Sequence, residues 1–184
     1  MKCFTYKDLP VIEGEQIYLR PITYEDTGDI VRWRNDPEVQ RWFLFRNPFT
    51  PELHESWLKN KVETGKVIQY IIVHRESKKS VGSVYFRDID TANESAEYGI
   101  FIGEASARHR GIGADTAKIF TDFGFSILGL HRIFLKVLSD NKAAQRSYEK
   151  AGFVTEGTFR HYIKINDSFA DVVFMAKLNE KGEL

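Results

Sequence analysis

Residues 107–120 read ARHRGIGADTAKIF and set flexible residues against charged ones. Gly111 and Gly113 sit two apart, Arg108 and Arg110 lie just before them, and a helix-like pattern follows. Glycine admits positive φ and lets another group approach the backbone closely. The first N–H groups of a helix have no internal partner. With the positive end of the helix dipole, they bind phosphate oxygens well. The backbone of Gly111, Ile112, Gly113 and Ala114 is therefore a candidate cradle for a diphosphate, with Arg108 and Arg110 adding charge-assisted hydrogen bonds. A plain turn with solvated arginines suits the same spacing, because short glycine motifs are weak signals. Two phosphate motifs are excluded. Thr116 replaces the third glycine of G-x-G-x-x-G, and no G-x-x-x-x-G-K-[S/T] occurs.

The pattern that does fit is R-x-x-G-x-G followed by alanine, here Arg108-His109-Arg110-Gly111-Ile112-Gly113-Ala114. It resembles the GNAT acyltransferases, in which this motif follows a strand, opens the central helix and holds the pyrophosphate of acetyl-coenzyme A. A second stretch, SDNKAAQRSYEKAGFVTEG (139–157), is similar to the family's later strand–helix–strand passage. The resemblance covers nearly the whole chain. It implies acetyl-CoA as cosubstrate, with no metal, and direct attack of an amine on the thioester.

The resemblance also assigns roles. Tyr148 would face the thioester and protonate the departing thiolate, since a phenol with a pKa of about 10 is protonated at neutral pH. Asn141 would bond the pantetheine arm, and an N-cap is its other role. The strand at 95–103 is similar to the family strand that carries a bulge and splays from its neighbour. Phe101, Ile102 and Gly103 would then offer backbone groups to the pantetheine amides. Glu97 matches an acidic position of one family branch and could act as base, directly or through water. A carboxylate paired with a neighbouring arginine is the alternative.

For the acceptor, residues 31–50 hold Trp33, Trp42, Phe43, Phe45 and Phe49 beside Arg32, Arg34, Arg41 and Arg46. Aromatics stack on planar or sugar groups, and arginines grip phosphate or carboxylate. Trp33, Arg34, Trp42 and Phe45 are the candidate acceptor residues, although Trp33, on a helix, equally suits the core. WRNDPEV and TPELHESWL resemble the branch of ribosomal-protein N-terminal acetyltransferases, within which the likeness is nearest to enzymes that acetylate amino-sugar nucleotides. The branch also includes polyamine and antibiotic acetyltransferases. In residues 24–64, eight acidic residues stand against six basic ones, a near balance that does not favour a polycation. The acceptor is expected to be an amine-bearing small molecule or a protein N-terminus. A non-catalytic acyl-CoA-binding sensor or interaction module is the alternative, and a homodimer is among the expected assemblies.

Other chemistries find little support. His54-Glu55 lacks the second histidine of H-E-x-x-H, no G-x-S-x-G occurs, and the five histidines show no metal-ligand spacing. Cys3 is the sole cysteine, so no internal disulfide forms. The start, MKCFTYKDLPVIEGE, lacks a signal peptide's apolar core, and no apolar run is long enough to cross a bilayer. A cytoplasmic protein is expected. The 26 basic residues equal the 26 acidic ones, which argues against a nucleic-acid-coating protein.

The elements that must position these residues follow from pattern. The 184 residues suit one domain spanning 1–184, with 42% hydrophobic and 28% charged residues. Strands are expected at 17–22, 67–74, 80–89, 95–103, 132–139, 153–165 and 168–178, the last two turning at Asn166–Asp167. Helices are expected at 25–36, 50–65, about 112–128 and 141–152. Phe120, Phe123 and Ile127 would face the core, and 41–49 reads as an irregular aromatic stretch. The element order suits an α/β (α+β) fold class, and the resemblance implies the GNAT fold: a mostly antiparallel mixed sheet of about seven strands, flanked by about four helices, with splayed central strands.

Overall fold

The computed structural model describes residues 8–180. Cys3 lies outside them. Eight strands form one sheet: β1 (Ile12–Glu13), β2 (Ile17–Pro21), β3 (Ile68–His74), β4 (Ser80–Asp90), β5 (Ser95–Ile102), β6 (Arg132–Leu138), β7 (Val154–Ile165) and β8 (Ser168–Leu178). Their order is β1-β2-β3-β4-β5-β6-β8-β7. Every neighbouring pair is antiparallel except β5–β6. The α-helices among the described residues are α1 (Thr27–Asn35), α2 (Pro37–Gln40), α3 (Pro51–Trp57), α4 (Ile112–Ser126) and α5 (Lys142–Lys150). Helix α4 crosses between the two parallel strands, as such a connection requires.

The two faces of the sheet carry separate cores. On β3, Ile68, Tyr70 and Ile72 alternate with Ile71 and Val73, and the two sets belong to different clusters. One set meets α4, where Ala117, Phe120 and Phe123 are buried at helical spacing. Phe120 stacks on Phe86 at 4.2 Å and meets Tyr70 edge-on at 5.5 Å. The other set packs against Ile30 and Trp33 of α1, Val39 of α2 and Leu58. Burying each such side chain contributes about 1.5–3 kcal/mol.

Several boundaries differ from the sequence expectation, each for a local reason. The helix expected at 25–36 opens with a tight turn at Tyr24–Asp26 and becomes α-helical at Thr27. Pro37 ends α1 but also starts α2, whose N-cap Asp36 accepts from the Glu38 N–H at 2.9 Å. The helix expected at 50–65 is α-helical to Trp57 and widens into a π-turn over Leu58–Val62. Ile127, expected in the core, is 44% exposed, because α4 has ended and Leu128 and Leu130 turn inward instead. Asn166 takes φ 53° in the β7–β8 turn, at the expected place.

Strands β5 and β6 pair only through Ser95–Arg132, Ala96–Ile133 and Glu97–Phe134. Beyond that they part, while β4 holds the far edge of β5 out to Ile102 and β8 holds the far edge of β6 out to Leu138. The splay is present, but the bulge is not where the resemblance implied. β5 pairs regularly with β4 from Glu97 to Ile102, and the extra residue lies on β4 between Arg87 and Asp90. Asp88 there takes φ 49°.

Candidate active site

The parted strands open into a cavity of about 600 Å³. It runs from the mouth of α4, past α5, to the aromatic segment after α2. At the α4 mouth, Gly111 is the N-cap with φ 82°, a left-handed conformation that a side chain strains. Open space surrounds it, so glycine serves the backbone conformation there. Its carbonyl accepts from the N–H groups of Ala114 and Asp115, both at 3.0 Å. Ala114 therefore has its N–H engaged within the helix. Those of Gly111, Ile112 and Gly113 have no backbone acceptor and form the anion-ready end.

The two arginines differ. Arg108 is turned inward: it donates to the carbonyls of Ile102 at 3.2 Å and Gly103 at 2.7 Å, and pairs with Asp36 at 2.9 Å. It fastens the end of β5 to the cap of α2, so its charge is already matched. Arg110 is exposed and has no ion-pair partner among the described residues. His109 lines the cavity with φ 61°.

Along β5, the Gly103 N–H donates to Val81 at 2.8 Å. Alternation in an antiparallel ladder then turns the backbone of Phe101 and Gly103 toward β4, and leaves Ile100 and Ile102 facing the gap. Of the three residues expected to offer backbone groups there, Ile102 remains. Its carbonyl is taken by Arg108 and its N–H is left to face the gap. Ile100 joins it, a parity that composition could not reveal. The Phe101 side chain closes the cavity instead, packed edge-on with Trp33 and Phe43.

On α5, Asn141 is the N-cap and accepts from the Ala144 N–H at 3.2 Å. It also lines the cavity. Tyr148 stands one helical stretch further on, half-buried, edge-on to Tyr98 at 6.0 Å and Phe153 at 5.9 Å. Burial pushes its phenol above the ordinary tyrosine range. Tyr98 is shifted the same way by burial, and its buried hydroxyl has no hydrogen-bond partner among the described residues. Ser147 lines the cavity but spends its hydroxyl on the Ala143 carbonyl at 3.1 Å.

Glu97 is 4% exposed and both its oxygens are taken. Oε1 accepts from Arg87 at 2.5 Å and Oε2 from Lys136 at 3.0 Å. The paired carboxylate, not a lone base, is what the fold builds. Arg87 and Lys136, on the neighbouring strands, were invisible as site residues because nothing local links them to Glu97.

At the end expected to take the acceptor, Arg34, Trp42 and Phe45 line the cavity, together with Phe43, Phe49 and Tyr85. Trp33 does not: it is 1% exposed, donates from Nε1 to Glu104 at 2.8 Å, and covers Gly103. An added Cβ at Gly103 would lie 2.1 Å from Trp33 Cγ, so the glycine makes room for the indole. The Arg34 guanidinium rests over the rings of Phe43 at 4.2 Å and Phe49 at 4.5 Å. Buried His54 closes this end, with Nδ1 2.9 Å from Thr27 Oγ1.

A forked sheet, a helix mouth with open N–H groups and a phenol beside the fork define an acyl-CoA transferase type of site. Residues 16–154 match the family model described as the acetyltransferase (GNAT) domain. Spermidine N(1)-acetyltransferase of Vibrio cholerae is 31% identical over 91% of this chain and 96% of its own. The crystal structure of a Vibrio cholerae spermidine N-acetyltransferase with CoA and spermine superposes with a TM-score of 0.82, at 26% identity, over 89% of this chain and 95% of that one. The ribosomal-protein-S5-alanine acetyltransferase of Vibrio fischeri shares the fold, with a TM-score of 0.82 at 22% identity over 95% of this chain and all of that one. The chain belongs to the GNAT acetyltransferase family and is an N-acetyltransferase. No helix among the described residues is long and apolar enough to cross a membrane.

Proposed function

We propose that the protein transfers the acetyl group of acetyl-CoA to a primary amine by direct attack, with no covalent enzyme intermediate. The observation that carries this is the single cavity in which the α4 mouth, the β5–β6 fork and Tyr148 meet. CoA named in the Vibrio cholerae structure supports the same ligand here.

The N–H groups of Gly111, Ile112 and Gly113 and the Arg110 charge hold the pyrophosphate. The Asn141 amide and the gap-facing backbone of Ile100 and Ile102 hold the pantetheine arm. Tyr148 donates a proton to the departing sulfur. A phenol raised above its ordinary range gives up that proton late, to a sulfur that already carries most of its charge. Glu97, matched by two cations, keeps Arg87 and Lys136 in place, and the amine loses its proton to water in the cavity.

The test is thiol release from acetyl-CoA with a panel of amines. Turnover with at least one amine is expected. Tyr148→Phe should lower kcat by about a hundredfold or more while leaving CoA affinity within a few-fold. Tight CoA binding with no thiol release from any amine would make the protein a sensor rather than an enzyme.

A further inference from the structure

We propose that the acceptor carries an anionic group, a carboxylate or a phosphate, and that Arg34 receives it. The inference rests on amine acetylation as the reaction and names the class of small amine that is taken.

Arg34 differs from the other arginines around the cavity. Arg41 pairs with Glu38, Arg87 with Glu97, and Arg108 with Asp36. Arg34 has no ion pair and no hydrogen bond among the described residues, and its Nε is buried. Holding a cation away from water without a counter-charge is unfavourable. The Phe43 and Phe49 rings beneath it offset part of that cost. Its Nη groups have no hydrogen-bond or ion-pair partner among the described residues and remain for a two-point contact with a carboxylate or phosphate.

The wall around Arg34 has the same sign. The cavity is lined by Arg34, Arg41, Arg87, Arg108 and Lys136 against two carboxylates, Glu38 and Glu97. Both carboxylates are already matched, Glu97 twice. Other acidic residues of 24–64 do not line the cavity; among them Asp26 pairs with Arg20, Asp29 with Arg32, and Glu63 accepts from the Tyr24 hydroxyl. A polyamine would bring several positive charges to a wall with no carboxylate to spare. An amine that also bears an anion brings a net charge the wall accepts.

The experiment uses the full chain and matched amines. One pair is an α-amino acid and its methyl ester. The other is glucosamine 6-phosphate and glucosamine, and spermidine is the polycation. The anionic member of at least one pair should be acetylated with the higher kcat/KM, and spermidine should be poorest. Which pair responds tells carboxylate from phosphate. Arg34→Gln should raise KM for the anionic member by about tenfold to a hundredfold. The neutral member should lose less than the anionic one, so the anionic-to-neutral ratio falls, and Arg34→Lys should recover part of that ratio. An unchanged anionic-to-neutral ratio in Arg34→Gln, or a preference for spermidine, overturns the inference. Should no amine be turned over, calorimetry of the same amines on CoA-loaded protein decides. Binding of an anionic member that Arg34→Gln abolishes upholds the anion site while the transferase reading falls, and no such binding overturns the anion site.

Discussion

Glu97 and Arg34 show two fates of a charged side chain at one cavity. Glu97 is surrounded by counter-charge, and Arg34 has none. Replacing Glu97 by Gln would leave Arg87 and Lys136 facing each other without the carboxylate. Both are partly open to solvent, which screens them, so a loss of about 1–3 kcal/mol in urea unfolding is expected. Unfolding at the wild-type midpoint would show that the pairs are structurally idle. The helix that carries Asn141 and Tyr148 was legible in the sequence because its N-cap and glycine end fix it locally, while the roles expected of the two came from the family resemblance. Trp33 and Arg108 were not. Their deciding partners, Glu104 and Asp36, lie 71 and 72 residues away, and no local pattern reports such a distance.

At the scale of elements, two glycines separate backbone demands from packing demands. Gly111 needs its left-handed φ and has room around it, so Gly111→Ala should cost about 1 kcal/mol. Gly103 lies under the Trp33 ring, so Gly103→Ala must push an indole out of the core and should cost about 3 kcal/mol or more. Equal urea midpoints for the two variants would contradict the packing account. Helix α3 is held against α1 through buried His54, whose pKa burial lowers from 6.5 to about 4. The folded state thus resists protonating a group that the unfolded chain protonates below pH about 6.5. Stability is full above that pH and falls as pH drops toward 4, by up to about 3 kcal/mol. Urea unfolding between pH 7 and 4 should show this slope, and His54→Gln should flatten it. An unchanged slope in the variant would place the titration elsewhere. The meander of β3 to β5, helix α4 and the β7–β8 hairpin were legible because each has its own periodicity. The bulge on β4 and the parity of β5 were not, since both depend on register between strands.

Over the whole molecule, one sheet with differently covered faces supplies both halves of the site. Helices α4 and α5 bring the proposed phosphate end and the phenol, and α1 to α3 with the aromatic segment bring the proposed acceptor end. The fork at Glu97 and Phe134 lets the two halves meet across the sheet. In the proposed reading, the half that would take CoA and the half that would take the amine are built from different elements. The most direct test is a crystal structure of the protein with CoA. The account predicts pyrophosphate oxygens within hydrogen-bond reach of the Gly111, Ile112 and Gly113 N–H groups, and the thiol in the fork beside Tyr148. A pyrophosphate bound away from the α4 mouth, or a thiol outside the fork, would contradict it.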